Sequence, residues 1–200
     1  MLAFLVMCAG SGAAAYYLGK KAPGALSGAA AAVAAPARTK TFTSRDGFVS
    51  VVTPDDWKAI AGTDLSPAVD LGVCSASEDV LVFVVNEPGI DFEDGLTVSG
   101  YGELVKKAYA ETMKATFGVA VAVKLAGYPA AKLPFEGSYG GIRLRGFFFL
   151  LKSPENFHHV VVATVPSDYP RLIGDGLRVV ESATVVTPPK GIAPAPDAGR

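Results

Sequence analysis

Chemically active side chains are scarce in this 200-residue chain: there are two cysteines, two histidines and one tryptophan. Only Cys74 falls inside the region that reads as folded, so no disulfide can close within it. The two histidines are adjacent, His158 and His159, and neighbours along a strand point to opposite faces, which excludes joint chelation of one metal. No G-x-S-x-G, H-E-x-x-H, C-x-x-C, Walker loop or G-x-G-x-x-G occurs. Net charge is also slight, at -1 with a pI near 6.1, which argues against a chain-wide phosphate-binding surface and hence against nucleic acid as a partner. Charged residues make up 18% and hydrophobic ones 50%, a balance that excludes a disordered chain and favours a packed core.

Met1 to Gly19 carries no charge and is followed directly by Lys20 and Lys21. As a helix it would span about 28 Å, just enough for a bilayer core. Three readings stay open. A signal peptide would need a basic stretch ahead of Leu2. An uncleaved anchor would, by its trailing lysines, favour a cytoplasmic domain. A lipoprotein would use Cys8 in Leu5-Val6-Met7-Cys8, where Met7 stands at a position that wants a small residue. Residues 20–41 are rich in Ala, Pro and Gly and read as a linker, with Ala32-Val33-Ala34 a possible cleavage triplet. Residues 42–187 form the globular domain, and 188–200 a Pro-rich tail.

Within the domain, Gly47 to Val52 reads as a first strand, closed by Pro54, with Trp57 packed on the sheet. Asp70–Ser75 and Val80–Val85 make a hairpin, the second arm apolar on both faces and therefore central. Asn86 to Gly95 reads as a polar loop. Ser99 to Phe117 is a helix with a stripe at Tyr101, Leu104, Val105, Ala108, Thr112 and Ala115, ended by Gly118, with Glu103 and Lys107 an i,i+4 pair. Four strands follow, at 119–125, 128–135, 142–151 and 157–165. A turn falls at 137–141, and a hairpin loop at 152–156 sets His159 opposite Phe149 and His158 opposite Leu150. A last helix starts at Ser167-Asp168, with Gly174 and Gly176 each weakening it by about 1 kcal/mol, and Val185 begins a terminal strand. Strands in runs, broken by two helices, give an α+β class with a mainly antiparallel sheet.

Three short patterns carry a resemblance. Asp46-Gly47-Phe48 through Pro54 and Trp57, the turn Gly127-Tyr128-Pro129-Ala130, and Val179-Val180-Glu181-Ser182 after the last helix resemble the opening, turn and closing motifs of the PsbP-like family and its bacterial DcrB-type relatives. Ala183 stands where that family has an aromatic. The resemblance covers residues 42–187 and implies an α/β/α sandwich with two principal helices. It also implies a mostly non-enzymatic accessory or assembly role in lumenal, periplasmic or membrane-anchored settings; no residue here matches the metal contacts of the plant members, and no cofactor is expected.

Candidate binding residues are few. Arg143 and Arg145, two apart on one face, could grip an anion or simply end a solvated strand. Asp91, Glu93 and Asp94, with Glu87 nearby, invite a cation. An EF-hand is excluded because Gly95 falls where a ligand is needed. A hydrolase would need Ser138 or Cys74 next to a histidine, and the histidines read as core-edge residues instead. Charge is more informative in bulk. Between Lys58 and Lys106 there are nine acids and no base, whereas Lys106 to Lys152 holds eight bases and two acids. These halves either neutralise each other across the sheet or leave an acidic face for a basic protein partner. The expectation is a non-enzymatic, membrane-associated and extracytoplasmic binding or assembly module in the periplasm or cell envelope. The alternatives are a small-ligand or cation carrier, and a domain on the cytoplasmic face.

Overall fold

The computed structural model describes residues 38–60 and 66–186. Cys8, the apolar segment 1–19 and the tail from 188 lie outside them. Eleven strands occur among the described residues: β1 (Thr39–Thr43), β2 (Val49–Pro54), β3 (Lys58–Ala59), β4 (Leu71–Cys74), β5 (Val80–Pro88), β6 (Thr116–Phe117), β7 (Val121–Leu125), β8 (Tyr128–Tyr139), β9 (Ile142–Lys152), β10 (Asn156–Thr164) and β11 (Thr184–Val185). Two helices join them, α1 (Val98–Met113) and α2 (Tyr169–Glu181), with a single 3-10 turn at Gly89–Asp91. None is long and apolar enough to cross a membrane.

Every strand pairing is antiparallel. The large sheet runs β3-β4-β5-β10-β9-β8-β6, with β7 also on β8, and a small sheet runs β1-β2-β11. The protein is an α+β sandwich. One face of the large sheet packs Val82, Val84, Phe149, Leu151, Val160 and Val162 against α2, Trp57 and the small sheet. The other packs Leu133, Phe148, Leu150, Phe157 and Val161 against α1. Strand β10 lies between both layers and is buried along its whole length, which is why it reads VVVA in its middle rather than alternating.

Several local expectations are corrected. Ordered structure begins before residue 42, because β1 occupies Thr39–Thr43. Strand β5 runs on to Pro88, so Asn86 and Glu87 belong to the sheet and not to a loop. Helix α1 ends at Met113, and Lys114, in the left-handed conformation, donates its N–H to Tyr109 O; Gly118 is no cap but donates to Pro134 O. The buried stripe is Tyr101, Val105, Tyr109 and Met113, a strict i,i+4 row, while Leu104 is 41% exposed. Alanines on either side left the angle of the stripe undetermined, and the sheet chose the larger aromatic row. Lys106, not Lys107, pairs with Glu103, at 2.7 Å.

The β9–β10 register differs by one residue from the expectation. Ser153 and Asn156 close the turn, Ser153 N–H donating to Asn156 O at 2.9 Å, so His158 lies opposite Leu151 and His159 opposite Leu150. The β8–β9 turn is Gly140-Gly141 alone, both at positive φ. In α2, Gly176 is a requirement rather than a weakness: a Cβ there would stand 2.3 Å from Val162 Cγ2 and 2.8 Å from Val80 Cγ1. Gly174 faces open space.

Candidate functional site

Four buried polar side chains, Ser153, Asn156, His158 and His159, gather around the first residues of β10, and the histidines anchor two networks on opposite faces of the sheet. On the α1 face, His159 is 1% exposed and lies between two tyrosines two turns apart on the stripe. Its Nδ1 is 2.7 Å from the Tyr101 hydroxyl and its Nε2 is 3.1 Å from that of Tyr109. Tyr101 also makes a short hydrogen bond to Glu87. A carboxylate can only accept, so Tyr101 gives its proton to Glu87, and its oxygen accepts from His159 Nδ1–H. Nε2 is then the lone pair that receives the Tyr109 proton. Phe157 stacks on Tyr101 and Phe148 meets Tyr109 edge-on, each pair with ring centroids 4.7 Å apart.

On the α2 face, His158 Nδ1 is 2.7 Å from Asn86 Oδ1, its register partner on β5, and Nε2 is 2.8 Å from Ser153 Oγ. Asn86 Nδ2 donates to both oxygens of Asp46 at 2.9 and 2.7 Å. Asp46 also accepts from the Ser44 hydroxyl at 2.6 Å and the Phe48 amide at 3.1 Å. Close by, Asp70 accepts the Asn86 amide at 2.9 Å and pairs with Arg45 at 3.0 Å.

Burial sets the protonation of these groups. It lowers His158 to about 4, against the pull of Asp46, and His159 to about 3, helped by repulsion from His158. Burial raises Glu87, opposed by the Tyr101 hydrogen bond, and raises Asp70, opposed by the Asn86 amide. Both tyrosines are raised as well, again first by burial. Near neutral pH the interior therefore holds neutral imidazoles, and no buried side-chain N or O among the described residues lacks a partner.

Ser153, His158 and Asn86 stand in the order of a nucleophile, a base and an orienting group. The surrounding bonds say what the arrangement does. Ser153 is 6% exposed and its oxygen accepts from Asn156 N–H at 3.3 Å. The amides that could face a developing oxyanion are spent, Ser153 N–H on Asn156 O and Gly89 N–H on Glu155 O. This serine locks the β9–β10 turn onto β5.

The sequence candidates lie elsewhere. Asp91, Glu93 and Asp94 are exposed, on the 3-10 turn and the loop after it. No group of three or more His, Cys, Asp or Glu among the described residues is arranged to hold a metal ion. The turn does adjoin the inner carboxylates: Asp91 and Asp70 both act on Glu87, Asp46 acts on Asp70, and Glu155 is bonded through its carbonyl to Gly89. Acids from three separate segments, Asp46, Asp70 and Glu87 with Asp91, thus meet at one end of the sheet. Among the described residues the acids of this half pair with Arg45, Lys58 and Lys106, the last within α1 and not across the sheet.

Arg143 and Arg145 share a face, as expected, and both reach Glu136, at 3.9 and 3.2 Å. Arg145 also stacks over Tyr169 at 4.3 Å. Cys74 is buried with Ile60 and Leu81, and Ser138 meets neither histidine. The histidines are interior residues rather than core-edge ones. Sequence reading missed Asp46, Asn86, Glu87, Tyr101, Tyr109 and Ser153 as their partners. A usable trace existed in the polar pair Asn86-Glu87 at the end of an apolar strand and the polar pair His158-His159 near the start of another, since two polar pairs inside one buried layer must satisfy each other.

No family model matches the chain, and no curated protein matches its sequence. Solved structures do match in shape. The cyanobacterial PsbP protein CyanoP of Synechocystis sp. PCC 6803 is similar over 80% of this chain and 98% of that one, at 15% identity and a TM-score of 0.58. A protein of Bacteroides thetaiotaomicron is similar over 74% of this chain and 49% of that one, at 10% identity and a TM-score of 0.51. LpqN of Mycobacterium tuberculosis, a protein involved in cell envelope biogenesis, is similar over 75% and 91%, at 14% identity and a TM-score of 0.49. At these identities the likeness is one of fold, and the fold is PsbP-like, as the short motifs implied.

Proposed function

Starting from a PsbP-like fold, we propose that this chain is a non-enzymatic, membrane-associated accessory or assembly module that works outside the cytoplasm and presents an acidic end to a basic protein partner. The observation that carries this reading is the end of the sheet where Asp46, Asp70, Glu87 and Asp91 converge from separate segments with Arg45, on Asp70, the one base paired to them among the described residues. Exposed like charges held close together are tolerated where an oppositely charged partner is met, and they steer its approach. The polar interior supports the same reading, because Ser153 is bonded to His158 and Asn156, and His159 to Tyr101 and Tyr109, so these side chains serve the packing of the sheet. Membrane association rests on the uncharged residues 1–19 and the Ala/Pro-rich stretch after them.

The decisive experiment is fractionation of cells expressing the full chain, followed by its intact mass. Recovery with membranes, release on deleting 1–37, and a mass showing cleavage near Ala34 or lipid on Cys8 are expected. A full-length chain found in the soluble fraction would overturn the tether. An uncut mass in a membrane-bound chain, with Lys20 and Lys21 retained, would move the domain to the cytoplasmic face.

A further inference from the structure

The opposite corner of the molecule carries a cleft of about 320 Å³ that the acidic end does not touch. It is lined by Lys114, Thr116, Glu136, Gly137, Ser138 and Arg143. Lys114 comes from the end of α1, Thr116 from the short strand β6 at the sheet edge, Glu136 to Ser138 from β8 and Arg143 from β9. Registration explains the convergence. Thr116 pairs with Glu136, Glu136 with Arg145, and Ser138 with Arg143, so these side chains form two adjacent rungs on one face. Helix α2 meets this face at Arg145, which stacks over Tyr169, while Glu136 and Arg143 stay 46% and 75% exposed.

Two features mark the corner as more than a frayed edge. Lys114 closes α1 in the left-handed conformation, with φ at 48, a place where glycine costs least and a long cation costs about 1 kcal/mol. Its ammonium makes no ion pair or hydrogen bond among the described residues. The floor is Gly137, where a Cβ would stand 3.1 Å from Met113 O and 3.2 Å from Ala115 Cβ, so the strand can approach the helix end only without a side chain.

The charges sort themselves. Glu136 is held by Arg145 at 3.2 Å, while Arg143 is a looser 3.9 Å away and 75% exposed. Lys114 and the loosely paired Arg143 therefore supply two cations, Ser138 and Thr116 two hydroxyls, the second now donating to Glu136 O at 3.4 Å, and Glu136 a fixed acceptor. We infer that this cleft binds a phosphate ester bearing free hydroxyls. The phosphate would lie between Lys114 and Arg143 and accept from Ser138 and Thr116, while a ligand hydroxyl would donate to Glu136. The carboxylate disfavours a bare multivalent anion and rewards a hydroxylated one, so it is the group that sets specificity.

The test is thermal unfolding of the full chain with glucose phosphate, glycerol phosphate, inorganic phosphate and glucose, against potassium chloride at matched ionic strength. Glucose phosphate stands for a free sugar phosphate and glycerol phosphate for a lipid headgroup, and the larger response identifies the source. A ligand at ten times a Kd of about 1 mM should raise Tm by about 4 °C. Lys114→Ala and Arg143→Ala should each abolish most of that rise, and Lys124→Ala, at an exposed lysine away from the cleft, should leave it intact. Glu136→Gln should keep the response to inorganic phosphate and lose the extra response to the hydroxylated esters. No rise with either ester, a rise equalled by potassium chloride, or a rise unchanged in both Lys114→Ala and Arg143→Ala would overturn the site.

Discussion

His158 and His159 are chain neighbours held by different means, one on each face of the same buried strand. His159 sits in an aromatic layer and is gripped by two tyrosines of a single helix, so its network is short, dry and centred on α1. His158 is bonded through Asn86 to Asp46 and through Ser153 to the β9–β10 turn, so its network ties two loops to the sheet and ends at the exposed Asp46. A polar group inside a core is tolerated when each of its atoms is matched, and the two faces show a local solution and a long-range one. They differ in what a lost member leaves behind. Around His159 the stranded partners are the hydroxyls of tyrosines 0% and 2% exposed, whereas around His158 the chain ends at the exposed Asp46 and can be mended from outside.

That comparison can be broken at its strongest point. Replacing His159 with Phe would strand the Tyr109 hydroxyl and leave Tyr101 without one of its partners, and should cost about 3–5 kcal/mol in urea unfolding. Ser153→Ala on the other face should cost about 1–2 kcal/mol, with the loss concentrated in hydrogen exchange of the β9–β10 turn. Equal losses would show that the two networks are not differently coupled to solvent.

The two faces should also answer to pH in the same direction. Each histidine is neutral in the fold and charges below about pH 6.5 once unfolded, so the unfolded state binds more protons and stability falls as pH drops. The window opens near 6.5 and closes near 4 for His158 and near 3 for His159. Each contributes a slope of about 1.4 kcal/mol per pH unit. Glu87 and Asp70, raised by burial, act with opposite sign as they take up protons in the fold, so the measured slope should be smaller than the sum for two histidines. His159→Phe should reduce it further, read from urea midpoints between pH 6.5 and 4.5.

A second pair of neighbours sharpens the point in α2. Gly176→Ala would press a methyl into Val162 and Val80 and should destabilise by about 2 kcal/mol, whereas Gly174→Ala, facing open space, should stabilise by about 0.5–1 kcal/mol through helix propensity. A gain at both positions would mean that α2 rides higher on the sheet than the packing implies.

Much of the fold was legible along the chain because its cues are local. The runs VLVFVV and FFFLL announce central strands, Ala126-Gly127 and Gly140-Gly141 supply the positive φ that tight hairpins need, and Pro170 starts α2. The networks were less legible. Nothing in the spacing of Asp46, Asn86, Ser153 and His158 says that they touch, since each is placed by a different pairing. The one-residue register change at the 152–156 turn, invisible in composition, decided which residue each histidine faces. The small alanine-rich shoulders of α1 likewise hid which of two stripes would be buried.

Sequence alone determined the class of the protein: an apolar, lightly charged, disulfide-free α+β domain with its acids and bases separated along the chain, since hydrophobic period, turn residues and charge count need no partner to be read. Tertiary structure decided which acids meet at one end, that the histidines satisfy two separate networks, and that Lys114 joins Arg143 around a cleft. Those outcomes depend on strand register and on which helix face a sheet accepts, and both are settled only when distant segments pack.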